Sequence, residues 1–549
     1  MDPRNDSIVS SITYRDENSE TGQTLGINPD RLVLIVAGLC VLIFSATLSG
    51  TIVSTATESI KLSLGEDNIT WVAQAFLISS TALQPAWGKF SDIFGRRPPM
   101  LMGIVLLLIF SIVAGLSINM IMLIISRAIM GIGASSSLAM VNIIIADIIP
   151  IRKRGKYMGV ISAFNGVGQV IGPLMGGIIS DKLGWRWTNF INVPLVLVAA
   201  VPLYIYVRMP NPKMSLRKKF VSVDWKGVFI LAIAISLLLY GVNTGGENNV
   251  WNQPQSFGYI LAGVLLFILF PFVELKTKRD PIISMTLIKY RNVWINILGA
   301  TITGTVMYVG IFYIPVLFTA VHNSSATEAG LLTWPWMVSV IIASVSCGAA
   351  ITKFGIYRPF LWVGSSLLAI GFGLMCSLTS TDSFTKQAIY IAIVGVGIGL
   401  RLPPATISAQ VVVSKDELAS TTALINFSRS LGGILGLSMS KAIQSSTFNS
   451  NKADLISQFP SLADTIDKIS KGNAQAIYSI SDPNAQKIIL DSFFRSLKIV
   501  FMICCGISVL GFIFSLFILH VDLNQKEKQE IDEQDLINSQ QADAVKSVD

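Results

Sequence analysis

Apolar runs of about twenty residues alternate with short polar segments along almost the whole chain. A helix of about 20 mostly apolar residues is long enough to cross roughly 30 Å of hydrocarbon. The pattern therefore predicts an all-α polytopic membrane protein with about fourteen transmembrane helices. The predicted spans are Leu32–Ser54, Thr70–Phe90, Pro99–Ile118, Ile121–Ile145, Met158–Ser180, Asn189–Val207, Gly227–Val242, Phe257–Val273, Val293–Phe318, Gly330–Ile351, Pro359–Leu378, Ala388–Val413, Ala423–Ile443 and Ile499–Leu519.

Basic residues are concentrated in the loops on one side of these spans. The loops on the other side at 245–255 and 322–329 contain no Lys or Arg. Because cytoplasmic loops carry an excess of Lys and Arg, both termini are predicted to be cytoplasmic. The basic loop residues are Lys89, Arg96, Arg97, Arg152, Lys153, Arg154, Lys156, Arg208, Lys213, Arg217, Lys218, Lys219, Lys276, Lys278, Arg279, Lys289 and Arg291.

One segment, 444–498, is predicted to be a long exoplasmic loop. Its last part places apolar residues on one helical face, which is typical of a short helix lying on the membrane surface. These apolar residues are Ala485, Ile488, Ile489, Phe493 and Leu497. Two N-x-[ST] triplets, at Asn68 and Asn323, are candidate glycosylation sites on the same side.

The composition supports a membrane protein. Hydrophobic residues make up 52% of the 549 positions and charged residues only 13%, whereas soluble domains carry about 25% charged residues. The net charge of +8 is spread over short loops between apolar segments, which argues against nucleic-acid binding. The polar ends, 1–31 and 521–549, are predicted to be disordered cytoplasmic extensions.

A faint internal repeat suggests two related halves. Gly88 and Gly95 in the loop after the second span match Gly348 and Gly355 after the tenth, and Thr352 stands where the first copy has an acid. Transporters built from two halves place their binding site between them. We therefore predict two six-helix bundles, 32–208 and 281–520, separated by a linker and two inserted helices at 209–280.

Three motifs lie within these two predicted bundles. They are Gly88-x-x-x-Asp92-x-x-Gly95-Arg96-Arg97, then Arg127-Ala-Ile-Met-Gly131-Ile-Gly133, and finally Gly159 with Gly168-x-x-x-Gly172-Pro173-x-x-Gly176-Gly177. In the first, glycines permit a tight turn and the acid can pair with arginines, forming a latch that must break when the halves move. In the second, an arginine about 10 Å inside the fourth span is costly and therefore a functional hypothesis, unless it only bonds helix-end carbonyls or snorkels outward. In the third, small residues clear a groove for a neighbouring helix and a proline bends the fifth span, unless the pattern is a generic packing stripe.

Through these motifs the chain resembles the major facilitator superfamily. The branch it resembles is that of the fourteen-spanner drug:proton antiporters, which includes fungal multidrug, toxin-efflux and vacuolar basic amino acid transporters. The resemblance implies the major facilitator fold and alternating access. It also implies proton coupling through Arg127 and an antiporter role for the glycine motif of the fifth span.

The sequence departs from that family pattern in its acidic residues. Ser49 stands where many relatives carry a first-span Asp, and Glu58, near the end of that span, is either a substitute or a solvated terminal charge. The deep charges are all basic: Arg127, Arg401 and Arg429. The absence of carboxylates deep in the spans argues against a cationic substrate, because such a substrate needs an anionic partner.

Arg401 precedes two prolines, where helical hydrogen bonding must break. Broken helices near the midplane form binding sites in many transporters. We therefore expect Arg401 to face the central cavity and to favour an anionic or zwitterionic substrate. The alternative is that it satisfies carbonyls freed by the prolines.

The expected function is secondary active transport, and not enzymatic catalysis. The sequence shows no phosphate-binding G-x-x-x-x-G-K-[ST] loop and no hydrolase or metal motif. The expectation is proton-coupled efflux of drugs, toxins or small organic metabolites, with no cofactor. The alternatives are vacuolar uptake of basic amino acids and, more remotely, a nutrient sensor. We expect a monomer in the plasma or vacuolar membrane, with protons, a small-molecule substrate and the lipid bilayer as its partners.

Overall fold

The computed structural model describes residues 29–65, 69–207, 209, 214–248, 251, 253–277, 279–283, 285–324, 326–414, 417–470, 474–526 and 528. Over these residues the chain is helical, and its single β-bridge joins Val223 to Asp280. Twelve of the described helical segments are long and apolar enough to cross a membrane. The predicted all-α polytopic fold is confirmed.

The helices follow one another with short connections. Their bounds are α1 Pro29–Thr51, α2 Thr57–Leu64, α3 Thr70–Ala82, α4 Gln84–Phe94, α5 Arg97–Gly115, α6 Met120–Ile148, α7 Arg154–Leu183, α8 Trp187–Phe190, α9 Asn192–Tyr206, α10 Leu216–Ser222, α11 Trp225–Asn248, α12 Pro254–Lys276, α13 Arg291–His322, α14 Ala326–Leu332, α15 Trp334–Phe354, α16 Arg358–Cys376, α17 Phe384–Gln410, α18 Leu418–Gln458, α19 Ala463–Ser470 and α20 Pro483–Leu516. Short 3₁₀ turns lie between some of them, for example at Ile52–Thr55.

Two predicted spans are helical but differ from a simple apolar crossing. The second is divided into α3 and α4 at Leu83, directly before Gln84 and Pro85. Proline has no N–H to donate and is tolerated in the first turn of a helix, so a new helix begins there. The thirteenth is the first part of α18, which is 41 residues long and continues far beyond Ile443.

The segment 444–498 is not a loop. α18 continues to Gln458, α19 follows, and α20 runs without interruption from Pro483 to Leu516. The prediction of a separate helix lying on the membrane surface is therefore wrong. After Pro483 no further proline breaks the helix, and its apolar face is covered by other helices of the segment: Ala485, Ile489 and Phe493 lie in one core with Phe448 and Ile466.

The helices form two main hydrophobic cores. One is made mostly of residues 35–207 and the other of residues 306–504. The repeated glycines have matching backbones: Gly95 ends α4 with φ 90°, and Gly355 ends α15 with φ 72°. A side chain at either position would strain this left-handed conformation, so the same residue type ends the helix in both halves.

The inserted helices α11 and α12 pack antiparallel to each other. Gly241 lies against Ile260, and Gly263 lies against Leu238. α11 is also attached to the N-terminal half, since Trp71 stacks on Tyr240 with ring centroids 5.0 Å apart. α12 is more peripheral, and only 17% of the residues in its most apolar stretch are buried.

Candidate functional site

A cavity lies between the two halves of the molecule. Its walls come from α1, α3, α4, α6 and α7 on one side and from α13 and α18 on the other. It is lined by Ile43, Ala46, Thr47, Gly50, Thr51, Phe76, Leu77, Ser80, Thr81, Gln84, Leu138, Asn142, Asn165, Gln169, Met307, Tyr308, Asn426, Arg429 and Ser430. Its volume is about 60 Å³, whereas sites for organic ligands span roughly 300–1,000 Å³. The halves must therefore move apart to admit such a ligand.

The halves touch at both ends of this cavity. At the end that carries the predicted cytoplasmic loops, which we call the basic end, Gly88 of α4 meets α18: a Cβ on Gly88 would lie 2.9 Å from Ala423 Cβ. Gly348 of α15 packs backbone to backbone against Gly155 of α7. At the opposite end α7 lies against α14. Gly88 and Gly348, the first glycine of each repeat copy, thus each contact the other half of the molecule.

The glycine motif of α7 brings that helix against the first span. A Cβ on Gly172 would overlap Thr51 Oγ1, one on Gly168 would overlap Thr47 Oγ1, and one on Gly176 would overlap the Ile52 carbonyl oxygen. Gly159 faces the other way, where a Cβ would lie 2.6 Å from the Ser344 carbonyl oxygen of α15.

The same helix therefore contacts both halves. Pro173 lies inside α7, and its carbonyl accepts a hydrogen bond of 2.8 Å from Thr55 Oγ1. Gly177 is partly buried. The small residues thus let α7 lie between the two bundles at very short range.

The ionic part of the predicted latch lies within the N-terminal half. Arg96 bonds Asp92 at 2.5 Å and Asp147, at the end of α6, at 2.6 Å. Burial raises the pKa of Asp92, although Arg96 lowers it. Arg97 instead donates to the Tyr204 carbonyl at 2.8 Å. The predicted pairing of Asp92 with an arginine is thus present, but these ion pairs do not join the halves, and contacts between the halves come from Gly88 and from Lys156 N–H donating to Thr352 Oγ1 at 2.9 Å.

Arg429 faces the central cavity. It is the only charged residue among the described residues that line it. Its Nε is buried without a hydrogen-bond partner, and in the described part of the chain no acid forms an ion pair with it. Tyr308, Asn426 and Ser430 line the cavity beside it. Neutral polar groups thus surround a single unpaired guanidinium.

Arg401 is enclosed within the C-terminal half. Its Nε donates to Thr303 Oγ1 at 2.9 Å, Nη2 donates to the Gly299 carbonyl at 3.1 Å, and Nη1 donates to Ser365 Oγ. The residue is 3% exposed and does not line the cavity. The prediction that Arg401 faces the central cavity is therefore wrong. Its acceptors belong to α13 and α16, not to carbonyls next to the prolines of its own helix.

Arg127 lies one layer behind the cavity wall. Its Nε donates to the Val72 carbonyl at 3.2 Å, and its guanidinium lies over the ring of Phe76, 4.6 Å from the centroid. Nη1 and Nη2 are buried without hydrogen-bond partners. Phe76 itself lines the cavity, so Arg127 contacts a residue of the cavity wall, and its role in proton coupling stays a prediction.

Three other predicted sites lie wholly or partly outside the described residues. The side chain of Glu58 and the whole of Asn68 lie outside the described residues. Asn323 is exposed just after α13, but Ser325 of its triplet is outside the described residues. Glycosylation at either position stays a prediction.

Sequence reasoning missed most of the residues that line the cavity. Asn165 and Gln169 are hydrogen-bonded to each other at 2.7 Å on α7. Gln84 Nε2 donates to Ser430 Oγ at 3.2 Å and so joins the two halves. A signal existed on α18, where Asn426, Arg429 and Ser430 recur at helical spacing inside an apolar stretch.

These features define a two-bundle membrane transporter, with its site where the bundles meet. The family model described as Major Facilitator Superfamily matches residues 34–437, and the chain belongs to that family. The expected transporter class is confirmed, and catalysis is not the family's function.

Relatives support the same class. The chain is 30% identical to the multidrug transporter protein MdtP of Bacillus subtilis over 525 residues, which cover 91% of this chain and 96% of the relative. It is 32% identical to multidrug resistance protein 3 of the same organism, covering 88% and 94%. It is 28% identical to the efflux pump dotC of Dothistroma septosporum, covering 82% and 78%.

Among solved structures, the fold is similar to that of the human organic anion transporter MFSD10. The TM-score is 0.55 at 14% identity, and the match covers 89% of this chain and 100% of that one. A double-tryptophan mutant of XylE gives a TM-score of 0.56 at 15% identity, covering 91% and 98%. These likenesses concern the fold alone.

Proposed function

We propose that this protein exports small organic anions or zwitterions in exchange for protons, by alternating access. The observation that carries the choice of cargo is the cavity itself, where Arg429 is the only charged side chain that the described part of the chain contributes to the lining. A cation inside the membrane without an ion-pair partner is costly. A cargo with a carboxylate, sulfonate or phosphate would supply the missing partner, and a guanidinium binds such groups through two parallel hydrogen bonds.

The rest of the lining suits an amphipathic cargo. Gln84, Asn142 and Asn426 offer amide donors and acceptors, while Phe76 and Met307 offer apolar surface. Binding sites for organic molecules combine a mostly apolar wall with a few placed polar groups in this way. The cavity is bounded by both halves, so opening either end would expose the same groups to a different compartment.

Export and proton exchange are supported by the relatives and by α7. Relatives at about 30% identity are called multidrug transporters and an efflux pump. The glycine motif that marks antiporters in this family lies where α7 touches both the first span and α15. Arg127, behind Phe76, is our proposed link between cavity occupancy and proton movement.

Vacuolar uptake of basic amino acids is the competing proposal. A lysine or arginine side chain needs an anionic partner in the site, and no acid lines the cavity in the part of the chain that the structure describes. The guanidinium of Arg429 would also repel such a cargo. We therefore prefer the anion exporter.

The test uses the purified full-length chain in sealed liposomes with an imposed pH gradient. Three solutes of one aromatic skeleton are compared: a sulfonate, its uncharged sulfonamide and the corresponding amine. The sulfonate stays ionised, so it does not follow the pH gradient unaided. We expect protein-dependent, protonophore-sensitive movement of the sulfonate well above that of the amine. Faster movement of the amine would reject the cargo class, and sulfonate movement that ignores the gradient would reject proton exchange.

A further inference from the structure

An open groove lies at the basic end of the two inserted helices, where α11 begins and α12 ends. We call it the basic groove and define it by Arg217, Lys218, Lys226, Lys276 and Arg279. It consists of two adjoining hollows of about 420 and 620 Å³ that share Arg279. The groove is far from the central cavity in sequence and shares none of its lining residues.

Backbone contacts hold the two sides of the basic groove together. Val223 forms a β-bridge with Asp280, whose N–H donates to the Ser222 carbonyl at 3.2 Å. Arg279 Nη1 also donates to the Val223 carbonyl at 3.3 Å. Cations from the segment before α11 and from the segment after α12 therefore have fixed relative positions.

The acidic residues near the basic groove do not cancel its positive charge. Asp224 is buried and caps the start of α11, accepting from Gly227 N–H at 3.2 Å. Glu274 is also buried and accepts from Ile282 N–H at 3.2 Å. Asp280 lies on the rim, so the described residues that line the groove include five cations and two acids, Asp224 and Asp280. Among the described residues, none of the five cations forms an ion pair, which leaves them available to an external anion.

Apolar side chains continue the groove toward the membrane. Leu269 and Phe272 of α12 line it and are 48% and 58% exposed. Phe272 precedes Lys276 by one helical turn, so an apolar surface lies directly beside the cations at the end of the span. In α10, Phe220 and Val221 are exposed beside Arg217 and Lys218 in the same way.

We infer that the basic groove binds an anionic phospholipid, with its headgroup phosphate among Lys226, Lys276 and Arg279 and one acyl chain along Leu269 and Phe272. Basic pockets at the ends of transmembrane helices bind acidic headgroups through their charge. A soluble anion would use the cations but leave the apolar wall uncovered. The lipid uses both parts of the groove, and this site is independent of the cargo that the transporter moves.

The first experiment measures lipid retained by the full-length protein. The protein is reconstituted with phosphatidylcholine and a minor fraction of phosphatidylserine, extracted gently, and analysed by native mass spectrometry. The double variant Lys226→Gln/Lys276→Gln is compared with Arg152→Gln/Lys153→Gln, which removes the same charge from the loop before α7. We expect the first variant to lose roughly thirtyfold in phosphatidylserine affinity and the second to keep it. Equal losses would mean general surface attraction and would overturn the site.

The second experiment distinguishes a lipid from a free phosphate. Phe272→Ser should weaken phosphatidylserine binding, whereas binding of inorganic phosphate, measured by competition with the lipid, should be weak and unchanged by this variant. If inorganic phosphate displaces the lipid at comparable concentration, or if Phe272→Ser has no effect, the occupant is a soluble anion and the proposal fails. Thermal unfolding of each variant verifies that it is folded.

Discussion

Two arginines of the C-terminal half, the buried Arg401 and the partly buried Arg429, show how differently one residue type is used. Around Arg401 the neighbours are shaped for it: a Cβ on Gly299 would lie 2.9 Å from its Nη2, and one on Gly364 would lie 2.9 Å from its Cγ. The guanidinium of Arg429, in contrast, borders the central cavity. A charge that has all its partners inside one bundle holds that bundle together, whereas a charge without partners between bundles is available to a ligand.

The largest expected effect is that of Arg401→Ala. Hydrogen bonds to a charged group contribute about 1.5–3 kcal/mol each, and truncation would also leave a void in a packed core. We expect a sharp fall in folded yield and in the apparent melting temperature in detergent, followed by tryptophan fluorescence. Arg401→Lys should recover only part of the loss, because one ammonium cannot reproduce the planar fork. Normal melting with lost transport would instead make Arg401 a transport residue.

Arg429→Gln should have the opposite signature. We expect the melting temperature to be unchanged or higher, since a costly unpaired charge is removed. The apparent affinity for the sulfonate should fall about ten- to a hundredfold, as expected for one charged hydrogen-bonding partner. Arg429→Lys, which keeps the charge, should retain measurable transport. If Arg429→Gln unfolds the protein as Arg401→Ala does, the contrast between the two sites is wrong.

Gly172→Ala tests whether the close contact of α7 with the first span limits the movement between the halves. Its methyl group would overlap Thr51 Oγ1, and overpacking of this kind costs about 1–3 kcal/mol. We expect slower transport at unchanged cargo affinity, measured from initial rates. Gly258→Ala is the matched control, because nothing lies within 4 Å of a Cβ there. Equal rates for both variants would show that the α7 contact with the first span is not limiting.

The smallest effect is expected from Asp92→Asn, which leaves Arg96 paired with Asp147. Because the pKa of Asp92 is raised above its ordinary 3.8, the folded protein holds this proton more tightly than the unfolded chain. The contribution of this group to stability is therefore full below pH 3.8 and is lost as the pH rises through the raised value. Asp92→Asn should flatten that part of the profile of melting temperature against pH. An unchanged slope would exclude Asp92 as its source.

Most of the fold could be predicted, because the bilayer imposes a length and a polarity on each crossing. Apart from the second span, which is divided before Pro85, the segments that departed from prediction are those where other parts of the protein replaced lipid as the surroundings. The polar α18 is covered by neighbouring helices, and the face of α20 at Phe493 is covered by the segment around Ile466. Hydropathy read along a single segment contains no information about such partners.

The two arginines differ in predictability for a similar reason. Residues 401–411 are buried on every side, so no helical face distinguishes the direction of Arg401. Only the positions of Thr303 and Ser365 on other helices determine it. On α18, by contrast, Asn426 and Ser430 share a face with Arg429, and that polar face could have been recognised from sequence.

The length of α18 and α20 has a further consequence. With 41 and 34 residues, they extend about 60 and 50 Å, roughly twice the thickness of the hydrocarbon layer. Together with α19 they form a helical extension, which we call the stalk, at the end opposite the basic groove. Since these helices are continuous with the C-terminal bundle, a fluorophore or antibody fragment attached to the stalk would tilt with that bundle. Transport could then be followed one molecule at a time from outside the bilayer, without a label near the cargo.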